Sequence, residues 1–209
     1  MSNKSNNINQ IKLIAKQMLV SLQSVELDAW YEKKLQEAKT VFEVMSLLKK
    51  EFRLSFLNRV CDYITDEEFS INLVRAYVDT ETPDEDLDMS KDKLLEMFRK
   101  TNIEHTMTTE DKEILQSLSD KIIVYRGVSD RKREKVDNIS WTYRHEQAEW
   151  FAKRYNEKSI VYKAEIDKQH IFALTNRRQE SEIILDPNHL SNIQVFARFT
   201  PEMEDSLTK

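Results

Sequence analysis

The sequence predicts an α+β chain, with a helical first part over residues 1–118 and a β-rich second part over residues 119–209. Two observations carry that reading. Apolar residues recur every three to four positions as far as Leu118, and afterwards fall into short alternating or β-branched runs. The charge changes at the same place: residues 1–120 hold 16 basic and 23 acidic side chains, and residues 121–209 hold 16 and 14. The junction near Ser119–Asp120 is short, with no low-complexity linker and no internal repeat. The two parts are therefore expected to make one domain over 1–209.

The helical elements follow in order. Ile11, Ile14, Ala15, Met18, Leu19 and Leu22 share one face of a helix, and Val41, Val44, Met45 and Leu48 share another. Phe52, Phe56, Leu57, Val60 and Ile64 repeat the pattern. Thr65 with Glu68 reads as a capping box for a helix carrying Phe69, Leu73 and Tyr77. Ser90 caps a helix with Leu94, Leu95 and Phe98, and Thr108 or Thr109 caps a last one ending near Leu118. Five to seven helices result. Between them, Asp79 to Asp88 is acidic. Its Asp84, Asp86 and Asp88 have the spacing of a calcium loop, but Met89 stands where the sharp turn needs glycine and Leu95 where a bidentate Glu is needed, so it reads as a solvated loop.

In the second part, Lys121–Arg126, Ile160–Ile166, Ile171–Leu174, Ile183–Leu185 and Ile193–Phe199 read as strands. One helix interrupts them. Thr142 could cap it, and Ala148, Phe151, Ala152 and Tyr155 form its apolar stripe.

Composition removes several function classes. The 209 residues include 40% hydrophobic and 33% charged side chains, with a formal charge of −5, as in a soluble globular protein. No run approaches eighteen apolar residues, and the polar N-terminus MSNKSNNINQ lacks the apolar segment of a signal peptide. Cys61 is the lone cysteine, which points to a reducing, cytoplasmic setting and excludes a thiolate zinc site. None of the four histidines falls in an HExxH pattern. No metal is expected. Glycine occurs once, at Gly127, where average usage would give roughly fifteen. Glycine-rich phosphate loops are thereby excluded, and with them P-loop and standard dinucleotide-binding enzymes. The surviving glycine marks a position where the backbone has no substitute.

Three segments of the β-rich part could carry chemistry. In Val124-Tyr125-Arg126-Gly127, an arginine ends a strand ahead of the one glycine. Arg126 there is either a surface ion-pair partner or a bidentate phosphate ligand, and Gly127 would let backbone and ligand approach closely. In Ser140-Trp141-Thr142, two hydroxyls in alternate positions of an extended segment face one side. In Glu180-Ser181-Glu182, two carboxylates two residues apart share a side if a strand begins there. The pair is either a solvated strand end or a site opposite a cation.

The order and spacing of these segments resemble the mono-ADP-ribosyltransferases of the arginine–serine–glutamate type. That family shows a strand-borne Arg, then a Ser-x-Ser/Thr strand, then Glu-x-Glu at a strand edge. The stretch Ile139 to Arg154, ISWTYRHEQAEWFAKR, is similar to the family's second motif and following helix. The resemblance covers about residues 121–200. Thr142 in place of Ser and the bulky Trp141 are departures. The resemblance implies a core of two packed, mostly antiparallel sheets behind an N-terminal helical lobe, with residues 119–209 as the NAD-binding catalytic core. It implies cleavage of NAD+ as substrate, with Glu182 beside the forming oxocarbenium ion and Glu180 on the acceptor. Arg126, Gly127, Ser140, Trp141 and Thr142 then line the NAD+ site. Tyr125, Trp141 or Phe151 would stack on nicotinamide.

Paired glutamates lean the expected acceptor toward protein arginine, with Thr175–Gln179, including Arg177 and Arg178, as the acceptor-selecting loop. The basic run Arg131, Lys132, Arg133 and Lys135 reads as a solvated loop or as a contact for pyrophosphate or nucleic acid, and keeps a nucleic-acid acceptor open. The acidic helical lobe could dock a partner. Three readings follow: a transferase acting on a macromolecule, for instance as a toxin or phage effector; an NAD+ glycohydrolase on the same fold; and a non-enzymatic interaction protein.

Overall fold

The computed structural model describes residues 7–22, 27–80, 89–129 and 136–201, with Arg178 described by its backbone alone. Most of the acidic stretch ending at Asp88 and the basic run Arg131–Lys135 lie outside the described residues. The fold is mixed α+β, with nine α-helices and one six-stranded antiparallel sheet among the described residues. It divides into two compact units, Met1–Thr106 and Met107–Lys209. The boundary falls ahead of the last helix of the helical part and so groups that helix with the strands.

The first unit is helical because each segment carries an apolar stripe behind a polar cap. Helix α1, Ile8–Ser21, buries Ile11, Ala15, Met18 and Leu19. Helix α2, Ala29–Glu37, buries Leu35, and Asp28 caps it by accepting the Trp30 and Tyr31 N–H groups. Helix α3, Val41–Met45, opens on a full capping box between Thr40 and Glu43. The Glu43 carboxyl is held below its usual range because it accepts the backbone N–H groups of Lys39 and Thr40. Helices α4, Arg53–Val60, and α5, Asp66–Asp79, pack together and bury Leu54, Phe56, Leu57 and Leu73. Thr65 and Ser90 cap α5 and α6, Lys91–Arg99, as expected. Tyr77 of α5 meets Phe98 of α6 edge-on at 5.5 Å. Helix α7, Ile103–Thr106, ends the unit.

The second unit begins with α8, Thr109–Ser117, capped by Thr108. Its strands are β1 Lys121–Ser129, β2 Ser140–Thr142, β3 Ser159–Asp167, β4 Ile171–Thr175, β5 Glu182–Leu185 and β6 Ser191–Phe199, in the order β4-β5-β2-β1-β3-β6. The two packed sheets implied by the resemblance are thus one continuous sheet among the described residues. Helix α9, His145–Lys153, lies against β1, β2 and β3. Its N-cap is Arg144, not the expected Thr142. Thr142 belongs to β2, where strand pairing fixes its backbone, so its hydroxyl only reaches back to accept the Arg144 N–H at 3.2 Å.

The sheet has two different faces. One carries Ile122, Val124, Trp141, Ile183 and Leu185, packed with Leu115 of α8. The other carries Tyr125 and Val161 beneath Ala148 and Ala152 of α9. Gly127 lies on this second face. A Cβ there would sit 2.2 Å from the Ala148 carbonyl oxygen and 2.7 Å from the Ala152 nitrogen. Its φ is not positive. The one glycine is therefore required by the backbone of α9 pressing on β1, and the expected ligand approach gives way to helix packing as its reason.

Candidate functional site

Strand pairing brings together residues far apart in sequence. β1 pairs with β3 without interruption, so its side chains alternate regularly. Tyr125 lies opposite Thr142 on β2, and Thr142 lies opposite Glu182 on β5. Directly paired residues share a face, so Tyr125, Thr142 and Glu182 form a row on the α9 side. Ser140, two residues from Thr142, joins them, while Trp141 turns to the opposite core.

The first contact is polar and short. Ser140 Oγ donates to Glu182 Oε1 at 2.5 Å, a bridge across β2 and β5 spanning 42 residues of sequence. A hydroxyl bonded to a carboxylate is a charge-assisted contact, stronger than a neutral one. Glu182 and Ser140 are both part-buried, so water screens the bond less than at an open surface.

The second contact involves Arg126. Its Nη1 donates to the Ser140 carbonyl oxygen at 2.6 Å. Arg126 lies on the face opposite Tyr125 by the alternation of β1, so its guanidinium grips the backbone of β2 under Ser140. This couples the strand-borne arginine to the hydroxyl–carboxylate bridge through one residue. The Ser140 carbonyl contact gives Arg126 a structural role in holding β2, apart from the phosphate binding expected of it.

The third group of contacts holds a turn. Glu182 is the first residue of β5, and Ser181 and Gln179 have φ of 49° and 61°. Left-handed backbone is uncommon for residues with a Cβ and costs of order 1 kcal/mol each. The expected alternation of Glu180 and Glu182 along a strand therefore fails: the strand starts two residues too late, and the intervening Ser181 is left-handed. Proximity of the two carboxylates has to come from the turn itself. Thr142 Oγ1 holds this turn by contacting the Ser181 oxygen at 2.9 Å and the Glu180 oxygen at 3.2 Å. Thr142 is thus a clamp on the segment that carries Glu180, a role its sequence position did not announce.

Trp141 was expected beside NAD+. It is 2% exposed, and its indole N–H donates to the Asn138 oxygen at 2.8 Å. A buried ring with its polar atom satisfied is a core side chain, and the structure removes Trp141 from the site. Phe151 stands edge-on to Trp150 at 5.1 Å. Of the three aromatic candidates, Tyr125 shares the row with Glu182, and it contacts His145 and Phe196 edge-on at 5.8 and 5.1 Å. His145 and Phe196 carry no signal in the sequence, because their meeting depends on α9 lying over β1 and β3 and on β6 pairing beyond β3.

Among the described residues no group of three His, Cys, Asp or Glu side chains could hold a metal ion, and no helix is long and apolar enough to cross a membrane. No family model, curated protein or solved structure matches the chain.

Proposed function

We propose that the second unit is the catalytic core of an NAD+-dependent mono-ADP-ribosyltransferase. The observation that carries the reading is the 2.5 Å Ser140–Glu182 bond, with Arg126 anchored one residue away at the Ser140 carbonyl. Arg126, Ser140 and Glu182 of the three segments stand on the neighbouring strands β1, β2 and β5, with Arg126 reaching the Ser140 carbonyl from the opposite face, which supports the reading.

The reaction breaks the bond between ribose C1′ and the nicotinamide nitrogen. The bonding pair leaves with nicotinamide, which departs neutral, and the ribose becomes oxocarbenium-like, as in glycoside hydrolysis. Glu182 supplies the fixed negative charge beside that cation and holds the ribose 2′-hydroxyl. Ser140 keeps the carboxylate in one orientation, so no reorganisation is needed as charge develops. The acceptor nucleophile then bonds to C1′, and Glu180 takes its proton. Arg126 holds β2 and contributes positive charge toward the pyrophosphate of NAD+.

The acceptor is a macromolecule, with protein arginine favoured by the Glu180-Ser181-Glu182 sequence. A glycohydrolase is the second reading, and one observation favours it. Glu180 lies in the turn and not on β5, so its pairing with Glu182 lacks the support of strand alternation. Incubating purified protein and labelled NAD+ with a cell lysate separates these readings. Label on protein, label on nucleic acid or label only in free ADP-ribose selects among them, and no nicotinamide release overturns every enzymatic reading.

Two substitutions refine the assignment. Glu180→Gln is expected to lower macromolecular labelling by about tenfold while most NAD+ hydrolysis persists, since general-base assistance acts on the acceptor step alone. Nicotinamide release and label incorporation are measured on the same sample. An equal fall in both assigns Glu180 to the common transition state. Arg126→Lys is expected to weaken NAD+ binding by about fivefold, because a lysine cannot keep the planar fork that reaches both the Ser140 carbonyl and a phosphate. Calorimetric titration checks this, and unchanged affinity makes Arg126 purely a strand anchor.

A further inference from the structure

The turn that carries Glu180 is held from an unexpected quarter. Asp111 lies in the first turn of α8, 8% exposed, and is separated from the turn by 65 residues of sequence. Both of its carboxylate oxygens are engaged. Oδ2 accepts the Thr108 hydroxyl at 2.8 Å, and Oδ1 accepts the Asn176 backbone N–H at 3.1 Å. Asn176 is in turn the hub of the segment. Its carbonyl oxygen accepts the Gln179 N–H at 2.8 Å, and its side-chain Oδ1 accepts the Ser181 hydroxyl at 3.5 Å. The two left-handed residues, Gln179 and Ser181, are thus both bonded to the residue that Asp111 holds. The other side of the turn is fixed by Thr142.

Strained backbone persists only where its surroundings over-determine it. Helix α8 does not depend on this contact for its own place. Leu115 and Ile114 pack it on the sheet, and Thr108 caps it through the Asp111 N–H whatever side chain stands at 111. Asp111 serves its own helix through Oδ2 and the first turn, and its Oδ1 is left for the Asn176 N–H, so one buried carboxylate ties α8 to the strained turn.

We propose that Asp111 is a positioning residue for the acceptor: it fixes the 176–181 turn and through it the place of Glu180, without touching NAD+ or the acceptor. The inference rests on the transferase reading above for its chemistry and on the Asn176 contact for its geometry. Losing Asp111 releases the turn, leaves the Ser140–Glu182 bridge intact, and lets water compete with the acceptor for the ribose.

The test uses the full chain and two variants. In Asp111→Ala, amide hydrogen exchange at Asn176 and Gln179 is expected to speed up about tenfold, the equivalent of one charge-assisted hydrogen bond, while β1 and β3 stay protected. With labelled NAD+ and a cell lysate, label incorporation is expected to fall about tenfold and nicotinamide release to stay within about twofold of wild type. Asp111→Asn keeps an oxygen for the Asn176 N–H and is expected to behave as wild type in both measurements. Unchanged exchange over 176–181 in Asp111→Ala overturns the proposal whatever the activity does. Equal loss of labelling and nicotinamide release overturns it too, since Asp111 then serves the whole site, as does an Asn variant as damaged as Ala. Wild-type protein that releases nicotinamide and labels nothing overturns the acceptor role. Wild-type protein that releases no nicotinamide removes the transferase reading itself, and the exchange result alone then decides whether Asp111 holds the turn.

Discussion

Glu182→Gln is expected to reduce NAD+ cleavage by on the order of 10²-fold or more while leaving the protein folded. The substitution is close to isosteric. The glutamine carbonyl oxygen can still accept the Ser140 hydroxyl, so the bridge between β2 and β5 survives in neutral form. Register is also secured by the backbone pairing of Ser140 with Ile184 and of Thr142 with Glu182. Only the negative charge is lost. If Glu182 stabilises an oxocarbenium ion, that charge is what the transition state uses and the ground state does not, so the loss should appear in kcat more than in KM. Nicotinamide release at saturating NAD+ measures it, and a thermal melt on the same sample shows that the fold is kept. Turnover like that of wild type in a folded Glu182→Gln protein would remove Glu182 from the mechanism and leave the Ser140 contact a structural bridge.

The helices were legible wherever stripe and cap coincided. Thr65, Ser90 and Thr108 each precede a buried face, and each accepts the expected backbone N–H. Helix α2 was missed because Ala29–Glu37 buries only Leu35, which leaves no stripe to count. Five strands were visible as β-branched or apolar runs, since strand propensity and burial agree there. The Ser140–Glu182 partnership was legible only through motif order, because nothing local predicts that β2 pairs with β5 across 42 residues. Two expectations differ from the structure, each for its own reason. Only a regular strand puts Glu180 and Glu182 on one face, and a left-handed Ser181 carries no sequence mark of the kind a glycine gives. A Ser-x-Thr strand shows two faces without saying which is the core, so the sequence does not distinguish a ligand neighbour from the buried side chain that Trp141 is. Asp111 was invisible for a further reason: as part of a helix-opening cap it already had a sufficient local role.

Gly127→Ala is expected to destabilise the protein by about 3 kcal/mol or more, at or above the upper end of the usual overpacking range. The added methyl would meet the Ala148 carbonyl oxygen at 2.2 Å and the Ala152 backbone nitrogen at 2.7 Å. Both are backbone atoms of α9, so no flexible side chain can move aside, and relief requires lifting the helix from β1. That movement opens the cluster of Ala148, Ala152 and Val161 and costs their buried contacts as well. Urea unfolding followed by circular dichroism should show the midpoint falling by about 1 M or more with little change in slope. The alternative account of this residue, a glycine kept for the close approach of a ligand, predicts the opposite division: unchanged stability and weakened NAD+ binding. The two accounts are separated by one denaturation curve and one calorimetric titration of the same variant. A midpoint equal to that of wild type would mean that α9 does not press on β1 as described and would return Gly127 to the site.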